Sequence, residues 1–210
     1  MKKRNWIILG MLLAVTSMLQ AQDARNYLWS FSHNEKTYEI GLYGTITMQY
    51  AEVFNQPAGY LGGEFAAIIN HKWAVGWKGN ALYYDRRLNE LAENGTYHLE
   101  AGYAGIFGEY FWHVGKKLRV GMSLFSGTGL AQYRYDYEYR EDKLWHEEII
   151  DQKTFATLEA GLELSMPLAN NWRVSLNDSC RTSSPVYLYD TDPYFIQGLN
   201  AGIGFKWGFF

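Results

Sequence analysis

The feature that most constrains this chain is one alternation nested inside another. From Tyr38 to Phe210, segments reading apolar, other, apolar, other are joined by connections that are in turn long and polar, then short and tight. The last segment, Ile203-Gly204-Phe205-Lys206-Trp207-Gly208-Phe209-Phe210, is the cleanest. Successive strand side chains point to opposite faces, so Ile203, Phe205, Trp207 and Phe209 share one face against the glycines and Lys206. A strand needs that division if one side meets hydrocarbon and the other a polar lumen. Long and short links in turn then imply strands that cross a barrier up and down.

The pattern predicts eight strands, an even number that suits an up-and-down barrel with both ends on one side. The first spans 38–49, with Ile40, Leu42, Ile46 and Met48 outward, and is followed by a loop at 52–58 containing Pro57. The second, 60–69, sets Leu61, Phe65, Ala67 and Ile69 against Glu64, and Asn70-His71-Lys72 turns the chain into a third opening at Trp73. After a charged loop at 85–95, the fourth, 97–112, is read with Leu99, Ala101, Tyr103 and Phe107 outward and Glu100 inward. Glu109 falls on the wrong side in that register, which a bulge near Gly108 or a place at the water interface would correct. The fifth opposes Leu118, Val120, Met122 and Leu124 to Arg119 and Ser123, and continues with Tyr133, Tyr135, Tyr137 and Tyr139 as an outer tyrosine face. The sixth carries Leu158, Leu162 and Leu164 outward, with Glu159 and Glu163 inward. The seventh starts at Trp172 with Arg173 inward and loses its register past Asp178; a polar loop at 185–193 leads to the eighth, 195–209.

Composition excludes several classes. The 210 residues suffice for one barrel and are too few for two comfortable domains. A net charge of −3 and a pI near 6.0 leave no basic footprint for nucleic acid. Cys180 stands alone, so neither an intrachain disulfide nor a cysteine metal cluster is expected, and no cofactor or metal is assigned.

At the start, Lys2-Lys3-Arg4 precedes an apolar stretch over 6–19 and the small Ala21. That is a signal peptide over 1–21, too short for a comfortable transmembrane helix. Residues 22–37 are expected to be a periplasmic lead-in whose 27–31 portion could pair briefly with the chain around 33–35, and 38–210 the barrel domain. The short links lie on the side of the termini, the periplasmic side in outer-membrane barrels. Trp73 and Trp172, each following a short turn, and Trp207 with Phe209 near the C-terminus are read as an aromatic girdle at that interface.

Facing inward, the sequence places Glu39, Glu64, Glu100, Glu159 and Glu163 against Lys78, Arg119, Arg173 and Lys206. An eight-stranded barrel is only wide enough for its side chains to fill. Near-balanced charge in so narrow a tube should pair and close the lumen, since an unpaired ion there is costly. Glutamates spread over several strands are not a paired catalytic site. An enzyme of lipid would need serine, histidine and an acid near the outer leaflet. His33, His71, His98, His113 and His146 are scattered, with only His98 conceivably near Ser179, Ser183 and Ser184. The other rival is a soluble secreted lipocalin-like barrel for a small ligand, with apolar residues inside.

Signal peptide, eight girdled strands and a terminal aromatic together resemble the small eight-stranded outer-membrane barrels, the OmpA/OmpX-like group. The likeness covers about Tyr38 to Phe210 and departs in one respect: the apolar set counts back from Phe209, leaving Phe210 as an overhang. The resemblance implies a monomer in the cell outer membrane, in contact with its lipid and lipopolysaccharide. It also implies recognition of the C-terminal strand by the barrel-assembly machinery. The expected role is structural, or surface interaction through long loops rich in Tyr187, Tyr189 and Trp145, and not enzymatic.

Overall fold

The computed structural model describes residues 28–33, 36–54, 56–84, 97–114, 117–135 and 149–210. The expected signal peptide, and with it Tyr137, Tyr139, Trp145, His146 and the charged loop after Tyr84, lie outside the described residues. Nine strands form one antiparallel sheet among these residues. They are β1 (Trp29–His33), β2 (Lys36–Val53), β3 (Gln56–Ile69), β4 (Trp73–Tyr83), β5 (Tyr97–Val114), β6 (Leu118–Tyr135), β7 (Ile149–Ala169), β8 (Trp172–Ser183) and β9 (Gly198–Gly208). Each pairs with the next, and β9 pairs back on β2, so β2 to β9 close an up-and-down ring. Closure gives every interior backbone donor and acceptor a partner without water, the condition for a sheet in lipid.

The ring is staggered. Cross-strand partners starting at Gly41 run through Ile68, Ala74, Glu109, Ser123, Gly161, Ser179 and Asn200 and return to β2 at Ala51. The path comes back ten residues along the strand it left (51 − 41). A stagger of this kind tilts the strands and sets the width of the tube.

Two ends follow. The near end carries Phe210 and the links 70–72, 115–117 and 170–171; the far end carries the links at 54–55, 84–96, 136–148 and 184–197. At the near end, Asn70 and His71 take left-handed φ values of 50° and 57°, a conformation asparagine tolerates well. The Asn70 side-chain oxygen accepts from the Glu39 amide at 3.0 Å while Asn70 N donates to the Glu39 carbonyl at 2.8 Å, which pins the turn to β2. The expected loop at 52–58 is not one. β2 and β3 stay paired through Val53 and Gln56, with Pro57 opposite Glu52. Pro57 is tolerated because β3 pairs with β4 only as far as Gly59, leaving its missing N–H without a ladder to break.

β1 is an addition to the ring, in the segment read as a lead-in. It pairs with β2 from Trp29 opposite Ile40 to His33 opposite Lys36. Phe209 N donates to the Leu42 carbonyl and Leu28 N to the Ile40 carbonyl, successive acceptors on one edge of β2. β1 therefore continues the line of β9 along that edge.

Polarity is inverted relative to a soluble barrel. Ile46, Met48, Phe65, Trp77, Leu158, Leu162 (57% exposed), Phe205 and Trp207 (52%) cover the outside, while Lys206 (0%), Arg119 (1%) and Glu163 are buried within. Two faces differ from the sequence reading. β5 runs in the opposite phase: Leu99, Tyr103, Phe107 and Phe111 are buried in the lumen, and Ile106 and Trp112 are exposed. A shift of one residue reverses a whole strand. Glu109 is accordingly inside with no bulge required, and Glu100 is outside. Tyr133 is likewise buried in the lumen and Arg134 exposed, so the outer tyrosine face is not formed there.

Candidate functional site

Among the described residues, the lumen is the one place where chemistry-bearing side chains converge from all strands of the ring. In its near half, Lys206 of β9 stands with Nζ 2.5 Å from Glu163 Oε2 of β7 and 3.7 Å from Glu109 Oε2 of β5. Tyr43 donates its hydroxyl to Glu109 at 3.3 Å. Gly121 makes room for this arrangement: a Cβ there would run into Glu109 Oε1 and the Phe111 ring. Below it, the Arg119 guanidinium lies 3.9 Å from the Phe111 ring centroid and 5.2 Å from that of Phe210. Arg173 lies 5.7 Å from the same Phe210 ring, and its Nη2 reaches the Ser165 carbonyl at 3.4 Å. Phe210 is thus no overhang. It turns into the tube and stacks on Tyr43 at 5.6 Å between centroids.

A second group occupies the middle. Lys78 Nζ is 2.5 Å from Glu159 Oε1 and 3.9 Å from Glu64 Oε1. Tyr103 donates to the other Glu159 oxygen at 3.0 Å, and Arg181 donates to the Tyr103 oxygen at 2.7 Å. Arg181 also lies 4.4 Å from the Tyr60 ring centroid. Four acids from three strands thus share two lysines and a chain of donors, the condition under which buried ions are tolerated. A cavity of about 30 Å³ between the two groups is lined by Glu64, Lys78, Glu109, Glu159 and Glu163, enough for about one water molecule.

The far half is closed differently. The stretch 185–193 was read as a polar loop and 195–209 as strand, yet the link runs over 184–197, and its Val186, Leu188, Phe195 and Ile196 are buried and join the same apolar cluster as Leu99, Tyr133 and Phe155. Arg181 Nε donates to the Ile196 carbonyl at 2.8 Å, Gln197 Nε2 donates to the Ser183 carbonyl at 2.8 Å, and Tyr133 and Thr191 share a hydroxyl hydrogen bond at 2.6 Å. The alternation Val186-Tyr187-Leu188-Tyr189 was the available signal: the aliphatics point in, the tyrosines out.

Of the residues expected in the lumen, Glu64, Lys78, Arg119, Glu159, Glu163, Arg173 and Lys206 are brought into it. Glu39 is at the near mouth, 3.1 Å from His71 Nε2. Glu100 is on the outer wall, where Gln132 donates to it at 2.9 Å and His98 and Arg134 lie at 3.5 and 3.8 Å. Its outward place follows from the β5 phase. Glu109 and Arg181 are the lumen ions the sequence reading left out. Trp73 and Trp172 are exposed at the start of their strands and Trp207 near the end of its own, with Phe209 half-buried beside them. His98 stands on β5, with β6 and β7 between it and Ser179 and Ser183 of β8. Among the described residues no cluster of three or more histidines, cysteines or acids is placed to hold a metal ion.

Fold and polarity together define a class: a small, closed, up-and-down β-barrel with an apolar exterior and a filled, charged interior. No family model and no curated protein matches the chain. Among solved structures it is similar to Ail, the attachment invasion locus protein of Yersinia pestis, at 10% identity and a TM-score of 0.41, over 81% of this chain and 95% of that one. The same protein in complex with the heparin analogue sucrose octasulfate matches at 8% identity and a TM-score of 0.41, over 81% and 95%. Neisserial surface protein A matches at 9% identity and 0.45, over 80% of this chain and 96% of that one.

Proposed function

We propose that this chain is an integral protein of the bacterial outer membrane, a monomeric barrel whose lumen is shut and whose far end meets the cell's surroundings. The observation that carries this is the polarity of the wall: exposed leucine, isoleucine, phenylalanine and tryptophan outside, lysine, arginine and glutamate inside. In water such a wall would be an aggregation site, whereas in lipid it is the solvated face. Trp73, Trp172, Trp207 and Phe209 then mark the periplasmic interface, where indole rings prefer to lie. The near end faces the periplasm, and the far end stands among lipopolysaccharide. β9, with Ile203, Phe205 and Trp207 on its outer face, is the strand offered to the assembly machinery. The role is structural, with surface contact through Tyr187, Tyr189 and Tyr194, three exposed tyrosines on the far link. Tyrosines supply rigid amphipathic contact area at low entropic cost.

Washing membranes with carbonate or urea tests the reading. The mature protein is expected to stay in the outer-membrane pellet, and its release would overturn the proposal. Orientation is tested in a Cys180→Ala background: Tyr187→Cys should react with an impermeant maleimide on intact cells and Lys72→Cys should not.

A further inference from the structure

The outer wall is not uniformly apolar. β8 presents Trp172, Val174 and Leu176 outward and then Asp178, whose cross-strand neighbours are Leu162 on β7 and Ala201 on β9. One pair further up, Cys180 stands opposite Leu199, an outward leucine 76% exposed. Asp178 therefore lies within the apolar band, not above it. No cation among the described residues is paired with it. A carboxylate at a lipid-facing position is expensive and marks a functional site by default.

The wall around Asp178 is hollowed. Its outward neighbours Ala160, Cys180 and Ala201 are small, while Met122 and Leu162 on one side and Leu199 and Tyr50 on the other stand proud of them. They border a cavity of about 1,020 Å³ that is open to the exterior. Its far rim is formed by the 184–197 link, through Asp192, Tyr194 and Gln197. That volume is at the upper limit of about 300–1,000 Å³ for small-molecule sites, and the lining has their usual form, mostly apolar with a few polar groups. Its charge is one-sided: Glu52, Asp178 and Asp192 line it, and no lysine, arginine or histidine does.

We propose that this groove binds one molecule of an amphiphile with an ammonium head and one or two alkyl chains, an aminolipid. The chains lie against Leu162 and Ala201 and run toward the near end along Leu176 and Ile203, and the ammonium is held by Asp178, with Asp192 on the rim drawing cations toward it. A phosphate-only head would meet three carboxylates and be repelled. A second copy of this chain would have to bring a cation to Asp178, and the outer-wall cations among the described residues, Arg134 and His98, already face Glu100. The proposal rests on the membrane reading above.

The test is native mass spectrometry of the full barrel released from nanodiscs of mixed phosphatidylethanolamine and phosphatidylglycerol. The folded wild type should retain phosphatidylethanolamine in preference to phosphatidylglycerol. Asp178→Asn should weaken retention about tenfold or more, the effect of losing one hydrogen bond to a charged group. Ala160→Trp, which fills the floor while keeping the carboxylate, should abolish it, and Asp178→Glu should preserve it. Equal retention of the two lipids, no change in Asp178→Asn, or a lipid-free dimer would each overturn the site. Those results leave a folded barrel that still resists carbonate, whereas failure of the membrane reading would appear as carbonate release of the wild type.

Discussion

The two halves of the lumen are filled by opposite chemistry. In the near half and middle, Lys206 and Lys78 each bridge a pair of glutamates contributed by different strands. In the far half, Val186, Leu188 and Ile196 press against Leu99, Tyr133 and Phe155. Both plug the same tube, but they differ in how they fail. An ionic plug is conditional: every member depends on the others, and removing one leaves a buried charge without its partner. An apolar plug degrades by increments, each truncation costing the surface and volume it removes. Arg181 joins the two, with one donor on Tyr103 and another on the Ile196 carbonyl.

The largest expected effect comes from Lys206→Met, which strands Glu109 and Glu163 together. It should destabilise the barrel by about 3–5 kcal/mol in urea unfolding followed by tryptophan fluorescence. Glu163→Gln added to Lys206→Met should recover part of the loss, because it removes one of the two stranded charges. Leu188→Ala in the far half should cost about 2 kcal/mol, low in the range for leucine because a link can settle into the space. Glu163→Gln should not recover that loss. A deficit in Leu188→Ala that Glu163→Gln recovers, or one in Lys206→Met that it leaves untouched, would erase the distinction between the halves. Phe210→Ala should cost about 1–2 kcal/mol, the worth of one stacked ring and its contact with Arg119. The smallest effect is a null result. Replacing 186–196 by a short Gly-Ser turn should not raise conductance in planar bilayers, because the two lysine-centred layers still block the tube; steady channels after this change would refute closure by the ionic half.

The same contrast explains what could be read from the residues alone. β7, β9 and the first half of β6 carry their phase openly: Arg119, Glu163 and Lys206 are charged, their outward neighbours aliphatic or aromatic, and only one assignment is possible. β5 does not, because the lumen of so narrow a barrel is filled partly by rings. Leu99, Tyr103, Phe107 and Phe111 are as apolar as the lipid-facing Ile106 and Trp112, so period two survives while its direction is lost. Glu109 was the one marker of phase on that strand, and Glu100, satisfied on the outer wall by Gln132 and Arg134, argued against it. Tyr133 misled for the same reason. The far plug was hidden because its aliphatics are short and set among proline, tyrosine and aspartate, the composition of an exposed link. Phe210 gave no signal before Arg119 and Arg173 were seen beneath it.

The position of β1 has a consequence for how the molecule keeps to itself. β9 ends opposite Tyr43, so the stretch of β2 nearer its start would otherwise present a raw row of amides and carbonyls. Such a row invites another chain to template on it. The five residues from Trp29 to His33 occupy that row. A chain shortened to begin after them would keep its ring and its filled interior, yet expose a sticky hem at the seam. Self-association should then start from that hem before the barrel itself loosens.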